Sequence, residues 1–370
     1  MKRIVSFVLF FVVVSAVYYL MHFFVFKTVT RTIPVTDRIR MVLKYFFWFS
    51  GLSFPLGMLL SRWLKFTYLN HYAFVWLGVL SVAFFFLLIA RLINLIFPRG
   101  ALWVTVGALI LVGLVSVYSV FNNLRPPVVK TISLTLKKLP PSLSGFCIVQ
   151  LSDLHLDSTK SAGKVAGMVE AVNELDPDLI VITGDFIDGD ITSDSLFCDS
   201  LSQLKARYGI ISITGNHEFY AGIDYFLEFS KKLNITVLRN EKKTVAQALE
   251  IVGIDDNEGR QFSGMGPDLD GAMKGCDPAK PVILLRHRPE GFEQAVRKGV
   301  ALQISGHTHA GQIPPMDLLV CLFLKYPYGL YRKNGSYLYT SCGTGYWGPP
   351  MRLFSRSEIV KFVLRSPAQK

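Results

Sequence analysis

Residues 304–312 read ISGHTHAGQ, in which two histidines stand one residue apart between glycines. The chain has only seven histidines, and the apolar run 301–304 just before this pair is typical of a buried strand. A hydrophobic core has no use for two neighbouring imidazoles. The spacing instead indicates a turn at a strand end that grips a ligand from two sides.

Four other apolar runs end in polar segments of the same kind. They read SDLHLD, TGDFIDGD, TGNHEFY and LLRHRPE, at residues 152–157, 183–190, 214–220 and 284–290. These segments and the 304–312 turn hold every histidine after residue 125, whereas His22 and His71 fall at predicted membrane edges, as interfacial side chains. Ligands of open α/β sheets bind at the carboxyl ends of strands, so we expect the five loops to converge.

The pattern after residue 125 predicts an α/β domain, because apolar strand-like runs alternate with helix-like runs. The first of these runs alternates like an edge strand and is closed by a Pro-Pro pair. The predicted strands are 128–136, 146–151, 179–183, 210–214, 251–254, 282–285, 302–304, 337–341 and 358–364, and the predicted helices are 162–175, 195–207 and 225–233. A mostly buried sheet covered by helices follows from this alternation.

The polar residues of the five loops are suited to metal binding. Asp, His and Asn side chains together are ligands for Mn, Fe or Zn. A carboxylate shared by two ions is a common way to hold them about 3.5–4 Å apart for the hydrolysis of phosphate esters. A glycine precedes three of the candidate ligands, Asp185, Asn216 and His307, as expected where the backbone approaches a ligand closely.

The motifs DLH, GDFID, GNHE, a lone His after an apolar strand, and GHTHAGQ resemble those of the calcineurin-like metallophosphoesterase superfamily and stand in the same order. The resemblance covers about residues 146–365, and the five motifs together are far more specific than any one of them. The tail GTGYWGPPMRLFSRSEIV, residues 343–360, is further similar to the membrane-associated bacterial branch that includes UDP-2,3-diacylglucosamine hydrolase-like proteins.

This resemblance implies a four-layer α/β/β/α sandwich and two divalent metal ions (Mn, Fe or Zn) that activate a water molecule. The implied substrate is a phosphodiester or a pyrophosphate. Seven residues would hold the ions: Asp153, His155 and His309 the first, Asn216, His287 and His307 the second, and Asp185 both. His217 would lie near the substrate, where it would stabilise charge on the phosphate or protonate the leaving oxygen.

Several neighbouring residues admit two interpretations each. Ala310 and Cys342 stand where that branch has Gly and often Arg, and the missing Arg could alter substrate contacts. Arg352 could contact an anionic substrate or be an ordinary loop arginine. Tyr346 and Trp347 could pack against substrate or core.

Two acidic residues inside the motifs are weaker candidates. Asp188 follows the predicted bridging carboxylate by three residues, and Glu218 follows the GNH motif directly. Each could orient a metal ligand from behind, or it could merely cap the next helix.

Residues 1–125 are predicted to form a membrane region with about four transmembrane helices. Apolar segments cover 4–26, 45–60, 73–97 and 101–121; about 20 helical residues cross a bilayer core, so the second segment is marginal. An alternative for the first segment is a cleaved signal peptide, although no clean small-residue cleavage site follows it. Residues 126–145 then form a linker with an edge strand, and residues 146–370 form the metallophosphoesterase domain.

Charge is divided unevenly along the chain. Residues 1–125 hold 12 Lys and Arg and one acid, whereas the remainder holds 27 bases and 26 acids. Basic residues beside apolar spans are typical of membrane proteins, and the nearly neutral remainder lacks the basic stripe of a nucleic-acid-binding domain. Basic residues near the spans divide six to seven between the two sides, so only the dense cluster at 27–44 favours an outward-facing catalytic domain.

The segment IPPMDLLVCLFLKYPYGL, residues 313–330, is unusually apolar for a loop and directly follows the two histidines. It is too interrupted for a spanning helix. One interpretation is an ordinary flap that packs on the domain. The other is a segment that enters the membrane interface beside the site and admits a lipid-like substrate.

These patterns favour a multi-pass protein of the cell membrane that hydrolyses phosphodiesters or pyrophosphates, including lipid-linked ones such as UDP-2,3-diacylglucosamine. Membrane lipids are the other expected partners, and no nucleic-acid binding is expected. The alternative is a non-catalytic membrane scaffold or sensor with the same fold, against which the full set of seven ligands argues. Five cysteines without a CxxC pair make a disulfide framework or a structural zinc site unexpected.

Overall fold

The computed structural model of the protein describes residues 2–64, 67–157, 160–189 and 194–367. The chain divides into two compact units. The helical unit comprises Met1–Leu124, Gln312–Leu318 and Gly348–Phe354, and the sheet unit comprises Arg125–Gly311, Leu319–Trp347 and Ser355–Lys370. The division of the chain near residue 125 follows the change in composition, whereas the two short segments of the helical unit were not predicted.

Four long helices form most of the helical unit: α1 Lys2–Thr32, α2 Asp37–Leu64, α3 Thr67–Ile96 and α4 Ala101–Leu124. Within the described residues, three stretches are long and apolar enough to cross a membrane, namely Val12–Thr32, Tyr68–Ile96 and Pro98–Leu124. Helix α2 begins earlier than the predicted segment 45–60 and contains Pro55. A fourth span therefore stays a prediction.

Polar side chains within the helical unit bond to one another, as apolar surroundings require. The Nδ1 of His22 lies 2.9 Å from the carbonyl of Tyr18 and donates to it, and the Nε2 accepts from Trp76 Nε1 at 2.8 Å. The Tyr18 hydroxyl donates to the carbonyl of Ser50 at 3.0 Å. His22 is therefore a buried part of the helix packing, and its place at a membrane edge stays a prediction.

Both short segments bond to the long helices of this unit. The Ser81 hydroxyl of α3 donates to the carbonyl of Pro314 at 2.8 Å. In the second segment, the N–H of Arg352 donates to the carbonyl of Ser119 at 3.0 Å, and the Asn122 side chain donates to the carbonyl of Arg352 at 3.0 Å. The Arg352 side chain is fully buried, which is unlike an ordinary loop arginine, and a contact to an anionic substrate stays a prediction.

The sheet unit is built on two six-stranded sheets, whose strand orders are β1-β12-β2-β3-β4-β5 and β10-β11-β9-β8-β7-β6. In chain order the strands are β1 Val128–Thr135, β2 Cys147–Leu151, β3 Leu179–Ile182, β4 Ile210–Ser212, β5 Ile235–Val237, β6 Glu241–Val245, β7 Leu249–Gly253, β8 Val282–Leu285, β9 Val300–Ser305, β10 Gly329–Lys333, β11 Ser336–Thr340 and β12 Glu358–Arg365. The helices are α5 Ala162–Asn173, α6 Asp194–Leu201, α7 Asn216–Ala221, α8 Ile223–Lys232, α9 Gly259–Phe262, α10 Leu269–Ala272 and α11 Phe292–Arg297. A further helix, α12 Met316–Phe323, begins in the helical unit and continues into the sheet unit.

The two sheets pack face to face and helices cover their outer faces. The shared core between them includes Val181 and Ile211 of the first sheet and Ile283 and Ile304 of the second. Helices α5, α6 and α8 pack on the outer face of the first sheet, and α10 and α11 pack on that of the second. The predicted α/β class and the four-layer α/β/β/α sandwich are confirmed.

The direction of the strands determines where the loops with the predicted metal ligands lie. Strands β2, β3 and β4 run parallel in the first sheet, and β8, β9 and β11 run parallel in the second. Parallel neighbours end at the same edge of a sheet, so the loops after β2, β3 and β4 lie together, as do those after β8 and β9. All nine predicted strands are present, eight of them with shifted ends and the strand 282–285 with the predicted ends, and β1 lies at a sheet edge as predicted.

The shared core predicts a large cost for truncation between the sheets. Replacing the fully buried Ile283 by alanine should destabilise the sheet unit by about 2–5 kcal/mol, because it leaves a cavity. Thermal unfolding of the full chain in detergent measures the effect. Val129→Ala, at an exposed position of β1, is the control and should change stability by less than about 1 kcal/mol; equal shifts for both variants would contradict the account of the core.

Candidate metal centre

The seven predicted ligands all follow the carboxyl ends of strands in the sheet unit. The first sheet carries Asp153 and His155 after β2, Asp185 after β3 and Asn216 after β4, and the second sheet carries His287 after β8 and His307 and His309 after β9. Six of them are buried and His307 is partly exposed. Residues distant in sequence are thus brought to one place by the topology alone.

One group of side chains that could hold an ion consists of Asp153, His155 and His309. The Nε2 atoms of the two imidazoles are 3.0 Å apart. The Nε2 of His309 lies 3.6 Å from Oδ1 of Asp153. These are the three residues that the resemblance assigns to the first ion.

A second group consists of Asp185, His287 and His307. The Nδ1 of His307 lies 3.2 Å from the Nε2 of His287. Oδ2 of Asp185 is 3.2 Å from that same Nε2 and 3.8 Å from the Nε2 of His155. A single carboxylate oxygen therefore lies within reach of both groups.

Hydrogen bonds behind the rings determine which imidazole nitrogen faces the site. The Nδ1–H of His155 donates to Oδ1 of Asp188 at 2.8 Å, and the Nδ1–H of His287 donates to the carbonyl of Thr183 at 2.8 Å. In a neutral ring the other nitrogen then carries a bare lone pair. The Nε2 atoms of His155 and His287 lie 3.8 and 3.2 Å from Oδ2 of Asp185, so each ring could ligate an ion there once its Nε2 carries no proton.

The donor set fits divalent ions on two independent observations. Two nitrogens that share an ion at about 2.1 Å lie about 3 Å apart when they are at right angles, and both imidazole pairs have this separation. The Asn216 Oδ1 is buried and has no hydrogen-bond partner among the described residues. Since a buried amide oxygen without a partner is costly, it is suited to ligate a cation.

Electrostatics also favour positive charge at the centre. Burial alone would raise the pKa of Asp185, but His287 and His217 outweigh it and hold that pKa well below the usual range. Burial lowers the pKa of His307 to about 3, with help from the positive charges of His287 and Arg288. His307 therefore stays neutral and keeps its Nδ1 lone pair, while Asp185 stays ionised.

Comparisons with known proteins agree with this geometry. The family model described as calcineurin-like phosphoesterase matches residues 147–311. A zebrafish (Danio rerio) protein named transmembrane protein with metallophosphoesterase domain is 36% identical over 80% of this chain and 74% of its own length. The chain belongs to the calcineurin-like phosphoesterase family. It is therefore a hydrolase that acts on phosphoric esters.

Two further relatives are similar over a smaller share of this chain and of their own length. A bovine (Bos taurus) protein with the same name is 36% identical over 70% of this chain and 62% of its own length. An uncharacterized metallophosphoesterase of Helicobacter pylori is 37% identical over 65% of this chain and 64% of its own length. This phosphoesterase thus spans somewhat less than two thirds of both proteins.

The backbone of the phosphoesterase is strained where the ligands lie. Five of the seven have left-handed φ angles, with Asp153 at 54°, His155 at 48°, Asp185 at 50°, His307 at 74° and His309 at 50°. Such angles are uncommon outside glycine and cost on the order of 1–3 kcal/mol where the conformation is sparsely populated. Ala310 is left-handed too, at 50°, which explains why glycine was expected at this position.

Glu218 secures two of these loops. Its carboxylate accepts hydrogen bonds from the backbone N–H groups of Asp185, Phe186, Ile187 and Gly215 at 2.6–3.2 Å. Close packing adds a steric requirement, because a Cβ at Gly184, whose φ is +86°, would lie 2.6 Å from the backbone nitrogen of Gly215. Glu218 therefore positions the Asp185 loop, a role that its place in the GNHE motif indicates only in part.

His217 lies beside the first group at the more open side of the site. Its Nδ1 bonds to Oδ1 of Asp188, and its Nε2 lies 4.0 Å from Oδ2 of Asp185. Burial would lower the pKa of His217, but Asp185 and Asp188 outweigh it and raise the pKa to about 9. The rings of Tyr220 and Trp347 lie 5.4 and 5.8 Å from its ring.

Two residues that the sequence offered as possible substrate contacts, Cys342 and Tyr346, have their contacts elsewhere. Cys342 is fully buried and its N–H donates to Glu358 at 3.2 Å, so the position expected to hold Arg faces the interior. The ring of Tyr346 lies under the ammonium of Lys160, and the same ammonium donates to the Tyr346 carbonyl at 2.9 Å. Of the two aromatic residues, Trp347 is the one whose ring lies near His217.

Asp188 is the residue whose role sequence reasoning left open, and its geometry predicts a measurable effect. One carboxylate oxygen holds the Nδ1 atoms of both His155 and His217. Asp188→Asn should lower phosphoesterase turnover about 10–100-fold, because both imidazoles lose the partner that fixes their orientation.

The matched control is Asp176→Asn, an exposed turn residue with φ 46°, a conformation that asparagine tolerates. Circular dichroism should show both variants folded, and the control should keep its activity within about twofold. Full activity of Asp188→Asn would contradict the orienting role.

Proposed function

We propose that this protein is a membrane-tethered phosphoesterase that uses two divalent ions, Mn, Fe or Zn, to hydrolyse a phosphodiester or a pyrophosphate. The observation that carries the proposal is the position of Asp185, whose Oδ2 is shared between two groups of imidazole nitrogens. Asp153, His155 and His309 would hold one ion, and Asn216, His287 and His307 the other. Two such ions supply activation of water and neutralisation of phosphate charge.

The side chains around the ligands have complementary tasks. Asp188 holds the proton on Nδ1 of His155 and so leaves its Nε2 as a ligand. The same carboxylate orients His217, whose high pKa keeps a proton available for the leaving oxygen. In the reaction, water adds its oxygen to phosphorus, the bond from phosphorus to the leaving oxygen breaks, and that oxygen takes up a proton.

Membrane tethering is supported by the three apolar helices and by the names of the animal relatives, which are called transmembrane proteins. The finer proposal is a lipid-linked substrate, of which UDP-2,3-diacylglucosamine is one candidate. It is supported by the apolar segment that follows the two histidines of the 304–312 turn. The side of the membrane on which the site lies would decide whether a nucleotide-linked substrate reaches it.

The proposal is tested with the full chain in detergent and bis(p-nitrophenyl) phosphate as substrate. Hydrolysis should require Mn²⁺, stop with EDTA and return on addition of Mn²⁺. Asp185→Asn should reduce turnover to background, since it removes the carboxylate that both ions would share. Metal analysis should show loss of at least one ion per chain. A folded variant with full activity would overturn the assignment of Asp185.

His217 can be separated from the metal ligands by the choice of leaving group. His217→Gln should lower kcat about 10²–10⁴-fold for a diester with an alkyl leaving group, which needs a proton. The loss should be much smaller for p-nitrophenolate, which leaves readily without one. Equal losses for both substrates, with unchanged metal content, would exclude His217 as the proton donor.

A further inference from the structure

Helix α12 exposes an apolar surface that a water-soluble domain does not tolerate. Leu322 and Phe323 are 77% and 79% exposed. The other exposed apolar side chains of this helix and the residue after it are Met316, Leu318, Leu319 and Leu324. Its one charged residue, Asp317, is buried. One side of α12 is thus covered at Asp317, while the apolar side chains on the rest of its surface stay exposed among the described residues, and an exposed apolar patch of this kind marks an interaction site.

The chain places the start of α12 among the membrane helices. Residues Gln312–Leu318 belong to the helical unit, where Ile313 packs in the same core as Leu80 and Leu87 of α3. The Pro314 carbonyl is bonded to Ser81 of that helix. Since α3 is long and apolar enough to cross a membrane, the start of α12 is held against a candidate spanning helix.

A second short segment also joins the helical unit and exposes an apolar side chain. Gly348–Phe354 also belongs to the helical unit, and Phe354 is exposed. It directly follows Trp347, whose ring lies near His217. Gln312 likewise follows the candidate ligand His309 by three residues. Along the chain, each of the two short segments of the helical unit therefore begins within three residues of His309 or Trp347.

We propose that α12 is an interfacial helix that lies in the surface of the lipid bilayer, so that the metal centre takes phosphate esters whose acyl chains remain in the membrane. At eight residues, or about 12 Å, α12 is too short to span a bilayer, so we place its exposed apolar side chains at the membrane interface, where an apolar face is buried about 5–10 Å deep. The bilayer is the favoured occupant because α12 continues from a segment already bonded to a spanning helix.

This inference deepens the proposed function and rests on it for the substrate. The reaction is unchanged: water converts the lipid diester to a lipid monoester and the alcohol or phenol that leaves. What α12 adds is selection, since a substrate anchored by acyl chains is concentrated where the exposed leucines and Phe323 lie. Water-soluble diesters gain nothing from this surface.

The first experiment tests where α12 lies relative to the membrane, and it needs no measurement of activity. A nitroxide is attached to the exposed Cys321 of α12 in full-length protein reconstituted in phosphatidylcholine vesicles, with Cys198 and Cys276 replaced by serine. The spin label should collide mainly with oxygen and little with a water-soluble nickel complex. A label on Ala279→Cys, in an exposed loop of the sheet unit, is the control and should show the reverse preference.

Selection is tested with two substrates that share one leaving group. These are bis(p-nitrophenyl) phosphate and the p-nitrophenyl ester of phosphatidic acid in the same vesicles with Mn²⁺. The double variant Leu322→Asp, Phe323→Asp should lose at least about tenfold in kcat/KM for the lipid ester and stay within twofold for the soluble one. Leu322→Ile with Phe323→Leu keeps the surface apolar and should retain both activities.

The outcomes separate this inference from the proposed function. A Cys321 label that meets the nickel complex as freely as the control label overturns the inference, even if both esters are hydrolysed. Dipolar broadening between labels would make a second copy the occupant and also overturn it. Equal losses for both esters in the double variant would remove the selective role. If neither ester is hydrolysed, the proposed function fails, and a lipid-buried label still supports the interfacial helix.

Discussion

Two carboxylates buried away from water, Asp153 and Asp185, impose the arrangement of everything around them. A buried carboxylate is strongly destabilising unless cations or several hydrogen-bond donors face it. The fold supplies both, with imidazoles from two sheets and backbone N–H groups such as that of His307, which donates to Asp153 at 2.9 Å. The same carboxylates and imidazoles form groups that could hold divalent ions, which agrees with the phosphoesterase family of the chain.

The site exists only where the two sheets meet. The first sheet contributes both carboxylates and the amide of Asn216, and the second contributes three of the imidazoles. Neither sheet holds a complete set of ligands by itself, so the apolar core between the sheets fixes the separation of the ligand groups. Of the five ligands with left-handed conformations, Asp185 is held by Glu218 and by the close packing of Gly184 against Gly215.

Sequence reasoning predicted much of this arrangement for a physical reason. Buried parallel strands are short apolar runs, and functional residues follow their ends, so the order of motifs alone indicated the sandwich and the ligand-bearing loops. It could not assign Asp188 or Glu218, because a carboxylate that orients an imidazole and one that caps a helix look alike in sequence. Nor could it predict that residues 312–318 and 348–354 join the helical unit, since tertiary contacts, rather than local composition, decide where such short segments pack.

The central claim is that Asp185 is shared by two metal ions. Anomalous scattering at the manganese edge, from crystals of the full-length protein grown with Mn²⁺, tests it most directly. The account predicts two anomalous peaks about 3.5–4 Å apart, with the Asp185 carboxylate bonded to both. A single peak, or two peaks of which only one contacts Asp185, would contradict it.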